Sequence, residues 1–167
     1  MRQFVFLISI LLTGNLYSQT KVKTDTLGIL EFEELNHGMV HVVDSAVEEL
    51  KGTPTGEHGW LKDLEFVKLT DSIKIAPKAN FGTVYVVKAR DTVNIDVTIE
   101  WIYPKVIKNE KGEKFKSVKY TTRRPTNIPS GSTYSLDAPY EMVKGKWIEN
   151  IYLGDHRVFS RTFILYE

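Results

Sequence analysis

No cysteine occurs among the 167 residues. That removes disulfides, thiolate nucleophiles and thiolate metal ligands together, along with the acylated cysteine that anchors a bacterial lipoprotein. Stability must come from packing. Charge of one sign is also lacking, since 22 basic residues face 21 acidic ones. A nucleic-acid binder needs a basic excess or a basic face to meet phosphates, so the balance argues against such a partner. After the first dozen residues no apolar run approaches the ~20 residues of a transmembrane helix. Catalytic signatures are equally sparse. There is no G-x-S-x-G elbow and no H-E-x-x-H, and Gly52-Thr-Pro-Thr-Gly56 lacks the Lys and hydroxyl of a phosphate loop.

The first residues do carry a signal. Arg2 is a positive start, Phe4 to Leu12 is a short apolar run, and Gly14 to Gln19 is polar with small residues. That is the make-up of a secretory signal peptide, too short for a membrane span. The expected organisation is a signal peptide over residues 1–19 and one domain over residues 20–167. The expected location is periplasmic or secreted, without a lipid anchor.

The rest of the chain alternates like strands. The clearest run is Val93, Ile95, Val97, Ile99 and Trp101, interleaved with Asn94, Asp96, Thr98 and Glu100. One face of such a strand is buried and the other wet. Pro104 is expected to end it, because proline cannot donate to a central ladder. Thr26 to Glu34 reads as a first strand broken by Asn36-His37-Gly38. The capping-box spacing Ser45-Ala-Val-Glu48 predicts one or two helical turns running to Leu50. Asn109 to Gly112 is a hairpin turn, and the Lys-rich strand after it has the composition of a sheet edge. Tyr134 to Trp147 reads as a hairpin turning at Lys144-Gly145, with Trp147 as its main apolar anchor. About eight short strands at even spacing predict an all-β, antiparallel, immunoglobulin-like sandwich.

The residues along these strands resemble the domain of unknown function 3859 family of exported bacterial proteins. The resemblance is carried by Gly28-Ile29-Leu30, Leu69 to Ile73, Phe81-Gly82, Trp101 with Tyr103-Pro104, and Gly112 with Lys114. Its densest block is Tyr134 to Leu136, Ala138 to Glu141 and Gly145-Lys146-Trp147, and it closes on Phe163. It implies a small all-β, immunoglobulin-like domain and brings no catalytic residues with it. The segment from Glu33 to Trp60 matches poorly.

Candidate sites follow from chemistry. His37 and His41 stand four apart with Asp44, Glu57 and His58 nearby, the sharpest set for a metal. On a strand, however, that spacing holds two rings too far apart for easy chelation. Glu31 with Glu33, and Asp96 with Glu100, have carboxylate spacing but fall on wet strand faces. Charge is unevenly spread. Asp25 to Glu65 holds ten acidic residues against Lys51 and Lys62, and Lys105 to Arg124 holds eight basic residues against Glu110 and Glu113. A partner surface built on Lys116, Arg123, Arg124, Tyr134 and Tyr140 would use that basic region and tyrosine's fitness for interfaces.

The leading expectation is a non-catalytic module of the cell envelope, without a cofactor, that binds another envelope or extracellular protein. A metal-dependent enzyme or metal-binding protein using His37 and His41 is the alternative, and a small outer-membrane barrel is the second.

Overall fold

A computed structural model describes residues 28–167. The expected signal peptide therefore lies outside the described residues. Nine strands fill the described chain: β1 (Ile29–Glu49), β2 (Glu57–Leu69), β3 (Ser72–Lys74), β4 (Asn80–Ala89), β5 (Asn94–Lys108), β6 (Lys114–Pro125), β7 (Ser130–Ser135), β8 (Gly145–Leu153) and β9 (His156–Tyr166). They form two sheets in the orders β2-β1-β4-β7 and β3-β9-β8-β5-β6. All neighbours are antiparallel except β3 and β9, which run parallel. This is a β-sandwich. The barrel alternative fails here, because both sheets end in free edges and the space between them is packed.

Strand β5 places Ile95, Val97, Ile99 and Trp101 in that space, each no more than 4 % exposed. Burying each contributes roughly 1.5–3 kcal/mol before entropy is counted. Phe81 from the facing sheet stands edge-on to Trp101, Trp147 and Phe163, with ring centroids 5.5, 5.9 and 5.2 Å away. Tyr103 and Tyr134 each approach Trp147 to 4.9 Å. The Lys-rich strand β6 is indeed a sheet edge.

Four local expectations are corrected. Asn36-His37-Gly38 does not break β1, which continues to Glu49. Gly38 is instead the point where β2 closes on β1: its φ is +144°, and a Cβ there would stand 2.1 Å from the Lys68 carbonyl oxygen. The turns expected over Ser45 to Leu50 are strand, because Ala46, Val47 and Glu48 pair with Trp60, Gly59 and His58. Long-range pairing overrides a capping signal that no apolar helical face supports. Pro104 does not end β5 either. It sits in a bulge between Ile102 and Ile107, where pairing with β6 lapses and then resumes.

Tyr134 to Trp147 is the fourth. It is not a hairpin, since β7 belongs to one sheet and β8 to the other. A 3-10 turn at Pro139–Glu141 carries the chain across. Gly145 opens β8 rather than forming a tight turn. Its φ of +129° and the Pro104 Cβ, 2.8 Å from where its own would be, both require glycine. The two ends of the stretch still meet, as Tyr134 and Trp147 in the aromatic core.

Candidate binding cleft and the polar layer behind it

Strand β1 pairs with β4 only as far as Val40, opposite Asn80. Beyond that point β1 and β2 pair with each other alone and form an arm. Its tip folds back onto the body. The Pro54 carbonyl accepts hydrogen bonds from Asn109 Nδ2 at 3.2 Å and the Tyr140 hydroxyl at 3.1 Å. Asn109 is fixed by the β5–β6 turn, where its side-chain oxygen accepts from the Glu113 amide at 2.9 Å. Thr53 and Pro54 are consequently buried, although they sit at the end of a hairpin.

Between this arm and the body lies a cleft of about 610 Å³. Val42 and Val47 line it from the arm, Val118 and Tyr120 from β6, and Thr133 and Ser135 from β7. Trp101 and Tyr134 also line it, together with Glu57, Lys78 and Asp137. Trp101 is nearly fully buried, yet its Nε1–H finds no hydrogen-bond partner among the described residues. Close by, the Tyr134 hydroxyl donates to Glu141 Oε1 at 2.7 Å, and the other Glu141 oxygen accepts from the Ala138 and Asp137 amides at 2.9 and 3.1 Å. Burial raises the Glu141 carboxyl above the usual carboxylate range, against the pull of those hydrogen bonds. A second hollow of about 740 Å³ lies under the arm tip, lined by residues 51–57, Asn109 and Tyr140 among others.

Farther into the sandwich the interior turns polar. Glu149 on β8 is fully buried, and the Thr83 hydroxyl donates to its Oε2 at 2.6 Å. Burial pushes its carboxyl up to about 8, Ser132 and Thr83 pull it back, Glu34 adds to the rise and Arg161 opposes it. Arg161 is Glu149's cross-strand partner on β9 and bridges Glu34 to Asp71. On the opposite flank, Arg124 is half-buried and interacts with Tyr85.

The structure separates the residues that the sequence groups together. His37 Nδ1 lies 2.9 Å from Glu34 and its Nε2 lies 3.4 Å from Asp71, so the imidazole belongs to the Arg161 network. His41 is exposed and lies past a bulge at Met39/Val40. Among the described residues no group of three side chains is placed to hold a metal. Lys116 and Arg123 are exposed on β6, and Arg123 comes within 3.8 Å of Asp96. Arg124 turns towards the core, Tyr134 is buried, and Tyr140 is tied to the arm. The five residues are thus not one surface: the neighbours Arg123 and Arg124 point to opposite faces of β6, Lys116 stands beside the bulge at its other end, and the crossover draws Tyr134 inward.

Sequence reasoning missed Glu149 although a signal was present. Trp147, Glu149, Ile151 and Leu153 share one face of β8, which places a carboxylate in an otherwise apolar row. The cleft gave no comparable signal, since it is assembled from the arm, β6 and β7.

No family model matches the chain, and no curated protein matches it. Among solved structures, an immunoglobulin-like protein from Pseudomonas aeruginosa resembles it with a TM-score of 0.58 at 12% sequence identity. That likeness covers 90% of this chain and 99% of the other. At so low an identity it establishes fold alone. The chain is an immunoglobulin-like β-sandwich.

Proposed function

We propose that the chain is a non-catalytic binding or accessory module of the cell envelope, exported by its N-terminal signal, whose partner is another envelope or extracellular protein. One observation carries this reading. Val67, Val47 and Leu69 are the three most exposed large apolar side chains among the described residues, and all lie on the β1–β2 hairpin. A hairpin that adds so little to the core while presenting apolar side chains to solvent, Val47 on the arm and Val67 and Leu69 at its base, fits a contact surface better than a stabilising element. The expected export agrees with the resemblance to the domain of unknown function 3859 family, whose densest block forms the crossover beside the cleft.

The test is chemical crosslinking of the tagged chain in its native envelope, followed by mass spectrometry. One protein captured in fixed proportion, and displaced by excess untagged chain, is the expected result. Capture of the chain by itself alone, or of nothing, would refute the reading.

A further inference from the structure

We propose that the cleft between the arm and the β6–β7 seam is a strand-acceptor groove for an extended, basic segment of a partner polypeptide. This deepens the protein-binding reading and rests on it, adding the site and the form of the ligand.

The backbone supplies the first ground. Strands β6 and β7 bound the cleft, and each is the last strand of its sheet with a neighbour on one side only. An extended segment laid along such an edge continues the sheet through main-chain hydrogen bonds. The long arm crosses the opening and leaves about 610 Å³ beneath it. That falls within the roughly 300–1,000 Å³ of specific ligand sites.

The floor supplies the second. Trp101 lines the cleft with a buried Nε1–H that has no partner among the described residues. Buried donors are nearly always satisfied, so this one calls for an acceptor. A peptide carbonyl entering the floor of the cleft would supply one once the groups enclosing the Nε1–H move aside, and an apolar side chain of the same segment would rest on Val118 and Tyr134.

Charge supplies the third. Glu57 and Asp137 line the cleft against Lys78. In the adjoining hollow Glu48 and Glu49 face Lys51, with Glu110 and Glu113 against Lys111. Acidic groups outnumber basic ones in both. Tyr140, which lines the adjoining hollow, senses the same field: its phenol is raised first by burial and then by Glu141, Glu110 and Asp137. A lysine- or arginine-bearing segment is complementary to this lining.

The test uses the full chain in intact cells, with a photoreactive benzoylphenylalanine at one position at a time. Val47 and Thr133 line the cleft, whereas Val67 and Thr121 are exposed on β2 and β6 and do not. Crosslinks from Val47 and Thr133, but not from the other two, to one basic segment of a partner are the expected result. A synthetic peptide of that segment should then bind the purified chain and change its tryptophan fluorescence. E57K should weaken that binding about tenfold, and E65K on exposed β2 should leave it unchanged. Crosslinks confined to Val67 or Thr121 would overturn the groove and leave the protein-binding reading standing. Crosslinks from no position would overturn both. A crosslink from the groove to a second copy of this chain, or to a segment without basic residues, would overturn the proposed occupant.

Discussion

Strand β1 starts as a core strand and ends as the opposite. Phe32, near its beginning, is 3 % exposed and stacks on Tyr85 at 5.0 Å and Phe159 at 5.3 Å. Val47, near its end, is 64 % exposed. Of the residues between Phe32 and Ile73 whose side chains are described, Val40 is buried and Met39 packs against the main hydrophobic cluster, both before the arm begins. Both halves are paired along their length, so hydrogen bonding does not distinguish them. The difference is the second layer. The first half lies over the other sheet and excludes water from a shared core, while the arm has water on much of its surface. Pairing sets the length of a strand, but its contribution to stability depends on what covers its face.

The contrast is sharpest if one side chain is removed from each part. Trp147→Ala should cost about 3–5 kcal/mol in urea unfolding, because the ring is fully buried among Phe81, Tyr103 and Tyr134. Val47→Ala should change stability by no more than about 0.5 kcal/mol. Comparable losses at the two positions would break the distinction between body and arm.

Glu149 tests the body's polar layer by pH. Its carboxyl is pushed up to about 8, whereas an unfolded glutamate titrates near ~4.3. Between those values the folded chain holds a proton that the unfolded chain releases, so stability is complete below the unfolded value and falls as pH rises towards 8. The slope should be at most about 1.4 kcal/mol per pH unit. In Glu149→Gln thermal melts from pH 5 to 8 should flatten, with Tm above the parent's at the upper end. An unchanged slope would show that another group titrates.

Tyr134→Phe removes the donor to Glu141 but keeps the ring, and should cost roughly 1–3 kcal/mol. Smaller still, Tyr140→Phe deletes the bond to the Pro54 carbonyl. It should cost about 1 kcal/mol or less and show mainly as faster hydrogen exchange at Leu50 and Gly56, whose amides bond within the tip. Faster exchange throughout the body would contradict the separation of the two parts.

What could be read in advance follows the same division. In the body, alternation is imposed by a core on one side and water on the other, and Ile95 to Trp101 display it plainly. The Lys-rich edge of β6, the turn after Asn109 and the burial of Trp147 are local in origin and were readable too. In the arm, neither face is forced to be uniformly apolar, so Ser45 to Glu48 could pass for a capped helix. The Tyr134 to Trp147 crossover mimicked a hairpin because turn residues do not reveal which sheet the next strand joins. The cleft was hidden for a different reason. Val47, Trp101, Val118 and Thr133 lie far apart in sequence, and their meeting depends on an arm whose docking rests on two hydrogen bonds to one carbonyl.

The most direct measurement is on a chain with the arm cut back. Residues 43–63 would be replaced by Asn-Gly, a two-residue turn suited to joining the paired Val42 and Leu64. Thermal unfolding and partner capture in the envelope would then be read on the same protein. The arm's role as a binding element predicts a folded body with Tm lowered by only a few degrees, about 2–4 °C for each kcal/mol lost, and loss of capture. A shortened chain that cannot fold, or one that folds and captures its partner undiminished, would contradict it.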